Sequence, residues 1–271
     1  MSTTTPGADQ LQALISYSNN KTGANDATLS DAVTRLVEGY GSGGTFEGLQ
    51  LISTDQTTGR PTTYEWKGNT IPTYGLYYSY YGAGAGYRCT IDLSNVEYIN
   101  QYGLGGSGFE PINASNIKEM DSYALALRNT LGSNDLRNKT INLESYTGYG
   151  IGRSTTIHSI FRSADNTNYF GTILCPKIEY VPQYAFYAMR HDMNIQLGSI
   201  GYPVRSVGEK PFGGNMIGTN IITVYTTGAL LDTVKTAIEN QAGTNTTFIY
   251  KASEATTYNG TSYAAGDTIT V

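Results

Sequence analysis

The fold of this chain is decided by the stretch IDLSNVEYINQYGL, which occupies residues 91–104. Two further segments align with it without gaps, INASNIKEMDSYAL at residues 112–125 and ILCPKIEYVPQYAF at residues 173–186. All three follow one template: apolar, x, apolar, x, x, apolar, x, x, apolar, x, x, Tyr, small, Leu or Phe. Three matching copies predict a repeat protein, because self-similarity at this scale is typical of stacked repeat units.

The template also predicts how each unit packs. Its apolar-x-apolar opening places two side chains on one face of a short strand. The later apolar residues recur at every third position, which suits tight turns or short 3₁₀ segments. The Tyr and the Leu or Phe that close the unit, such as Tyr74 and Leu76, are expected in the core. A unit this small cannot bury its own apolar face, so the units must stack into a solenoid.

Weaker copies flank the three clear ones. Residues 71–76 keep the second half of the template, residues 141–143 and 195–200 keep the first half, and residues 204–212 resume it. The units start at positions 91, 112, 141, 173 and 195, with spacings of 21, 29, 32 and 22 residues. This irregularity fits loops inserted between conserved turns. We therefore predict five or six uneven turns, hereafter rungs, between about Ile71 and Phe212.

Two of these segments carry a resemblance to a known family. VEYINQYGL at residues 96–104 and IEYVPQYAF at residues 178–186 resemble the BspA-type leucine-rich repeat, whose unit contains apolar-x-x-Ile-Gly-x-x-Ala-Phe. The resemblance covers roughly residues 71–225. The chain departs from that pattern at the Gly, which is replaced at Asn100, Asp121 and Pro182. The resemblance implies a leucine-rich-repeat solenoid of the kind found in phage virion proteins and bacterial surface proteins.

The flanking segments predict two end modules. Leu29, Val33, Leu36 and Tyr40 lie at helical spacing, and the Gly-rich linker at residues 41–44 follows them. The C-terminal residues alternate strand, helix and hairpin patterns. The predicted fold class is α+β: a helical attachment or oligomerisation module at residues 1–44, a short, irregular, β-rich leucine-rich-repeat-like solenoid at residues 45–218, and an α/β cap at residues 219–271.

Composition excludes several classes of function. Charged residues make up 14% of the chain and the net charge is −5. There is no Lys/Arg cluster, so we expect no nucleic-acid partner. Residues 1–7 lack a secretory signal, and no apolar stretch approaches the roughly 20 residues of a membrane span, so we expect no membrane insertion. Tyr, Gly, Ser, Thr and Asn replace the missing charge, and Tyr, Ser, Gly and Asn are typical of evolved binding surfaces.

Residues that could support catalysis or hold a cofactor do not form a pattern. His158 and His191 lack metal-ligand spacing. Cys89 has no second thiol nearby, and Cys175 fills an apolar position of its rung. Stacking would separate these two cysteines by three rungs, or about 14 Å, whereas a disulfide requires Cα atoms within about 7 Å. We therefore predict two free thiols, no metal, no cofactor and no enzymatic activity.

An unusual aromatic segment supplies the candidate ligand-binding residues. The sequence YGLYYSYYGAGAGY at residues 74–87 contains more tyrosines than the repeat requires. One interpretation is a loop that packs over the edge of the stack. The other is an aromatic platform for a glycan or protein ligand, since aromatic side chains anchor binding surfaces. The candidate platform consists of Trp66, Tyr77, Tyr78, Tyr80, Tyr81 and Tyr87.

Three functional hypotheses remain open. The first is a bacteriophage virion surface component, such as a tail fibre, receptor-binding or decoration protein. It would be made in the host cytoplasm, would join other virion proteins and further copies of itself through the N-terminal module, and would bind a host-surface glycan or protein. The second is a bacterial cell-surface adhesin, which would need an export signal. The third is a polysaccharide-cleaving enzyme, which the scattered carboxylates disfavour.

Overall fold

The computed structural model describes residues 48–76, 89–127, 136–161, 169–187, 192–214 and 218–271. The N-terminal module predicted at residues 1–44 lies outside these segments. The described elements are sixteen strands, two 3₁₀ turns (Ala114–Asn116 and Leu136–Asn138) and one α-helix, α1 (Gly228–Ile238). The strands are β1 Leu49–Thr54, β2 Pro61–Trp66, β3 Thr70–Ile71, β4 Thr90–Asp92, β5 Tyr98–Ile99, β6 Glu110–Ile112, β7 Glu119–Met120, β8 Thr140–Asn142, β9 Thr172–Cys175, β10 Tyr180–Val181, β11 Met193–Leu197, β12 Ser206–Val207, β13 Asn220–Thr226, β14 Thr246–Ala252, β15 Thr256–Tyr258 and β16 Thr261–Tyr263.

The chain forms a β-solenoid of about six rungs. One strand from each of the six rungs lies on the first face, and β13 and β14 continue that face beyond the sixth rung. There β2, β4 and β6 pair in parallel, and β8, β9, β11, β13 and β14 form a second parallel sheet. An ion pair spans the place where the two sheets meet: the Lys139 ammonium contacts both carboxylate oxygens of Glu110 at 2.6 and 2.5 Å.

The second face of the solenoid consists of shorter strands. There β3, β5 and β7 pair in parallel, as do β10 and β12. Backbone hydrogen bonds connect equivalent positions in each pair of successive rungs, beginning at Asn69 and ending at Arg205. In one of them the Lys118 amide donates to the Glu97 carbonyl at 2.8 Å. These repeated bonds fix the register of the whole stack. The solenoid that the sequence predicts is therefore confirmed.

A column of large apolar side chains lies behind the corner that follows the second face. All six members are fully buried: Leu76, Leu104, Leu125, Phe161, Phe186 and Phe212. The Phe186 ring stacks on Phe161 at 4.8 Å and on Phe212 at 4.9 Å between centroids. These are the Leu/Phe positions that close each unit in the sequence template. The predicted burial of Leu76, Leu104, Leu125, Phe186 and Phe212 is confirmed, whereas Phe161 was not assigned to a unit from the sequence.

The two ends of the first face are covered by antiparallel segments. At one end β1 pairs with β2 in antiparallel orientation. At the other end, residues 264–269 lie against β14, with an antiparallel bridge between Lys251 and Thr268. Such segments interrupt the parallel stacking and reduce the chance that another sheet continues it. The first-face sheet itself runs through the boundary predicted at residue 218, because β13 pairs with β11 along five residues.

The C-terminal elements agree with their sequence patterns. Helix α1 buries Leu231, Val234 and Ile238 against the end of the stack. The β15–β16 hairpin turns at Asn259 and Gly260, which have φ values of 47° and 79° as the Asn-Gly pair predicts. Within the described segments, no helix has both the length and the apolar character needed to cross a membrane.

Two details of the repeat alignment were wrong. Ile91 pairs with Pro111 rather than with Ile112, whereas Ile99 pairs with Met120 as aligned. One extra residue is accommodated by Asn113 (φ 55°) and the 3₁₀ turn after it, which buries Ala114. The first rung also begins earlier than Ile71, because β2 places Tyr64 opposite Ile91 in the core.

Candidate recognition surface

The predicted aromatic platform is described only at Trp66. Tyr77, Tyr78, Tyr80, Tyr81 and Tyr87 lie outside the described residues. Trp66 is 3% exposed, and its indole nitrogen donates a hydrogen bond to the Thr70 carbonyl at 3.0 Å. A Cβ on Gly48 would lie 3.0 Å from the Trp66 ring, so backbone packs directly on the indole. Trp66 therefore belongs to the core of the first rung, and its prediction as an exposed ligand-binding side chain was wrong.

Four tyrosines that are exposed or partly exposed lie instead at the corner of the solenoid. Each rung turns there through one residue with a left-handed backbone, and the φ values range from 46° to 61°. We call these six residues the corner row. They are Tyr74, Tyr102, Tyr123, Ser159, Tyr184 and Lys210.

This conformation turns the tyrosines out of the core. Tyr74 is 53% exposed, and Tyr102, Tyr123 and Tyr184 are half-buried. The sequence-based expectation that the tyrosine of each unit fills the core was therefore wrong. The template spaced it three residues after a buried position, but a left-handed residue reverses the local direction of the chain, so the spacing no longer predicts which way the side chain points.

Three members of the corner row form what we call the tyrosine stack: Tyr74, Tyr102 and Tyr123. The Tyr74 and Tyr102 rings lie 5.1 Å apart between centroids with planes 8° apart. The Tyr102 and Tyr123 rings lie 4.6 Å apart with planes 6° apart. His158 ends the stack by packing edge-on against Tyr123 at 5.0 Å. The stack thus presents one phenol per rung at a nearly constant interval.

Tyrosine is an unexpected residue at these positions. A left-handed backbone costs an L-residue with a Cβ roughly 1–2 kcal/mol, and Gly or Asn adopts it more easily. Ring stacking stabilises the fold by about 0.5–1.5 kcal/mol per pair. Strain and stacking therefore nearly cancel, and stacking alone does not explain why four of the six corner residues are tyrosines.

A second set of residues precedes the corner row and runs beside it. We call it the polar row: Thr73, Gln101, Ser122, His158, Gln183 and Glu209. Its carbonyls accept hydrogen bonds from the corner amides of the neighbouring rung, as from Tyr102 to Ser122 at 3.1 Å and from Tyr184 to Glu209 at 3.0 Å. The Ser122 hydroxyl also accepts a hydrogen bond from the His158 amide at 3.0 Å. The corner is therefore rigid, and its side chains are mostly neutral hydrogen-bonding groups.

Two ion pairs lie beside the adjacent second face. Lys118 pairs with Glu97 at 2.9 Å, and Arg153 pairs with Glu179 at 3.4 Å. The hydrogen bond from Lys118 to Glu97 raises the pKa of the lysine. On the corner itself, the charged pair Glu209 and Lys210 lies in the last rung, where the two groups are 3.1 Å apart. The first three rungs of the corner carry no charged side chain in either row.

An inserted hairpin flanks the corner in the fourth rung. It spans residues 150–156, and the bridge between Gly150 and Ser154 closes it. The Asp121 carboxylate accepts a hydrogen bond from the Ile151 amide at 3.0 Å, and Glu119 accepts one from the Gly152 amide at 2.9 Å. These two carboxylates are thus occupied in holding the insertion against the stack.

The two thiols lie apart in the core. Cys89 and Cys175 are free and buried, on the second and fifth rungs, which separates them by three rungs as stacking predicts. Burial raises the pKa of the Cys89 thiol to about 12 and also raises the pKa of the Cys175 thiol. Among the described residues, no three His, Cys, Asp or Glu side chains come together as a potential metal site.

The chain matches no protein-family model, no curated protein and no solved structure.

The sequence analysis did not predict the corner surface, although the repeated Tyr in the template was visible. A left-handed backbone is usually indicated in a sequence by Gly or Asn. Here tyrosine occupies most of these positions, so no such indication was visible. The second half of the fourth rung was missed as well, because the insertion separates Ser159 and Phe161 from the start of their unit at residue 141.

Proposed function

We propose that this protein is a non-catalytic recognition protein that uses the solenoid corner as its contact surface. The observation that carries the proposal is the tyrosine stack, in which Tyr102 and Tyr123 occupy left-handed positions and remain partly exposed. Local backbone strain that persists in successive rungs indicates a use for the side chain. Tyrosine beside small neutral polar residues is the composition of evolved binding surfaces.

The preferred biological setting is the surface of a bacteriophage virion, as a tail fibre, receptor-binding or decoration protein. Low charge, richness in Thr, Gly, Asn and Tyr, and the resemblance of residues 71–225 to the BspA-type leucine-rich repeat support it. Residues 1–44 would attach the protein to other virion proteins or to further copies of itself. The ligand would be a glycan or protein of the host cell surface.

Two measurements test this function. Mass spectrometry of purified virions should detect the chain in stoichiometric amounts, whereas its presence on the producing bacterium but not in virions would favour a cell-surface adhesin. Fluorescently labelled protein should bind host cells, and the double variant Tyr102→Asn/Tyr123→Asn should bind about tenfold more weakly. Asn tolerates the left-handed backbone, so this variant removes the rings while keeping the fold.

A matched control is available in Tyr202→Asn. Tyr202 is 45% exposed but lies in the loop between β11 and β12, away from the corner row. Its replacement should leave cell binding unchanged. Equal loss of binding in the control, or full binding by the corner variant, would contradict the assignment of the corner as the contact surface.

A further inference from the structure

We infer that the tyrosine stack binds an uncharged, extended polysaccharide chain that runs parallel to the solenoid axis. This inference rests on the proposed recognition function and specifies its ligand. It follows from three properties of the corner: the regular spacing of its phenols, its neutrality and its rigidity.

The spacing favours a repeating ligand. The rings of Tyr74, Tyr102 and Tyr123 recur at intervals of 5.1 and 4.6 Å, close to the roughly 4.8 Å spacing between neighbouring strands. Because each ring covers the face of the next, the stack offers ring edges and phenol groups rather than open ring faces. A phenol hydroxyl both donates and accepts hydrogen bonds, so each rung presents one group that suits the hydroxyls of a polymer of sugars.

The neutrality favours an uncharged polymer. In the first two rungs the neighbours of the tyrosine stack are the exposed residues Thr73 and Gln101, which also donate and accept hydrogen bonds without carrying charge. In the third rung the neighbour is Ser122, which is uncharged and buried. Ionised groups such as Glu97 and Lys118 pair with each other on the second face. An acidic polysaccharide or a nucleic acid would require a cationic row here.

The rigidity lowers the cost of binding. The amides of Tyr102 and Leu104 donate to Ser122 and Ala124 of the next rung, so the backbone on both sides of the corner is fixed. The rings stack on each other before any ligand arrives. A surface that is already ordered loses little conformational entropy on binding, which matters for a ligand whose individual hydrogen bonds are weak.

The test uses the full-length chain and isothermal titration calorimetry with defined oligosaccharides. The neutral probes are di- to hexasaccharides of glucose, mannose and N-acetylglucosamine, and the acidic probes are uronic-acid oligomers of equal length. At least one neutral series should bind, with affinity that rises from the disaccharide to about the trisaccharide, which offers one sugar to each of the three phenols. The double variant Tyr102→Phe/Tyr123→Phe keeps the stacked rings but removes the hydroxyls, and it should bind about tenfold more weakly.

The controls separate this inference from the proposed function. Tyr202→Phe should bind the neutral probes as the unmodified protein does. Preference for the acidic probes, or binding that the double Phe variant retains in full, would overturn the inference. If no oligosaccharide binds but cell binding persists, depends on Tyr102 and Tyr123, and is abolished by protease treatment of the cells, the ligand is a protein and only the inference fails. If neither cells nor oligosaccharides are bound, the proposed function fails with it.

Discussion

Tyr102 and Tyr123 occupy equivalent positions in successive rungs, with φ values of 56° and 61° and rings stacked 4.6 Å apart. The two residues thus share one strained backbone conformation and one stabilising contact. Substitutions at these two positions can therefore test the backbone conformation and the ring stacking separately.

Replacement of Tyr123 tests the backbone requirement. Tyr123→Asn should change the free energy of unfolding by less than about 1 kcal/mol, because Asn relieves strain while the stack is lost. Tyr123→Val should destabilise the protein by about 2 kcal/mol, because a β-branched residue is disfavoured at positive φ. Urea denaturation measures both. Equal stability of the two variants would show that the corner is not left-handed in solution.

The aromatic column in the core should be sensitive to truncation. Phe186 is fully buried between Phe161 and Phe212, so Phe186→Ala should reduce the free energy of unfolding by about 3–5 kcal/mol. Phe186→Leu should cost less, because most of the buried volume remains. Thermal and urea unfolding would show this ordering, with Tyr202→Ala as a surface control that changes stability by less than about 0.5 kcal/mol. A similar small effect at Phe186 would contradict the burial of the column.

Gly171 tests the close approach of two backbone segments. A Cβ at this position would lie 1.8 Å from the Arg137 carbonyl oxygen, so Gly171→Ala must displace the chain next to β9 and should destabilise the fold by more than about 3 kcal/mol. Gly152→Ala is the matched control. Gly152 has a φ of 71° but nothing within 4 Å of its Cβ, so only backbone strain of roughly 1 kcal/mol applies. If Gly171→Ala were tolerated as well as the control, the two segments would not be in contact.

The burial of the thiols has a measurable consequence for their reactivity. An unfolded thiol ionises near pH 8.5, whereas the pKa of Cys89 is raised to about 12. At pH 8 the unfolded chain therefore contains reactive thiolate and the folded chain almost none. We expect no reaction of native protein with a disulfide reagent and rapid labelling of both cysteines in guanidinium chloride. Fast labelling of native protein at pH 8 would place Cys89 or Cys175 at the surface.

The sequence predicted the solenoid because its buried positions follow a simple spacing. Ile91, Leu93, Val96 and Ile99 are all fully buried, as the template requires. Residues whose direction depends on an unusual φ could not be assigned in this way. Tyr74 matched the template and was expected inside, yet it is 53% exposed because the corner is left-handed.

Two further features were concealed by local composition. Tyr64 and Trp66 supply the first strand of the first rung, but they lie in a polar, Thr-rich passage that masked their periodicity. Asn113 absorbs one extra residue that an ungapped alignment cannot show. Of the predicted aromatic platform, Trp66 is buried, and the other five residues lie outside the described segments.

The most direct test of the account is a disulfide between the corner positions of neighbouring rungs. In the double variant Tyr102→Cys/Tyr123→Cys, the two residues would lie one rung apart, about 4.8 Å, which is within the roughly 4.4–6.8 Å range of Cα separations in disulfides. We predict nearly complete disulfide formation in air, detected by peptide mass spectrometry. The control Tyr102→Cys/Tyr184→Cys spans three rungs and should stay reduced. No bond in the first pair, or a bond in the second, would contradict the stacked corner on which the proposed recognition surface depends.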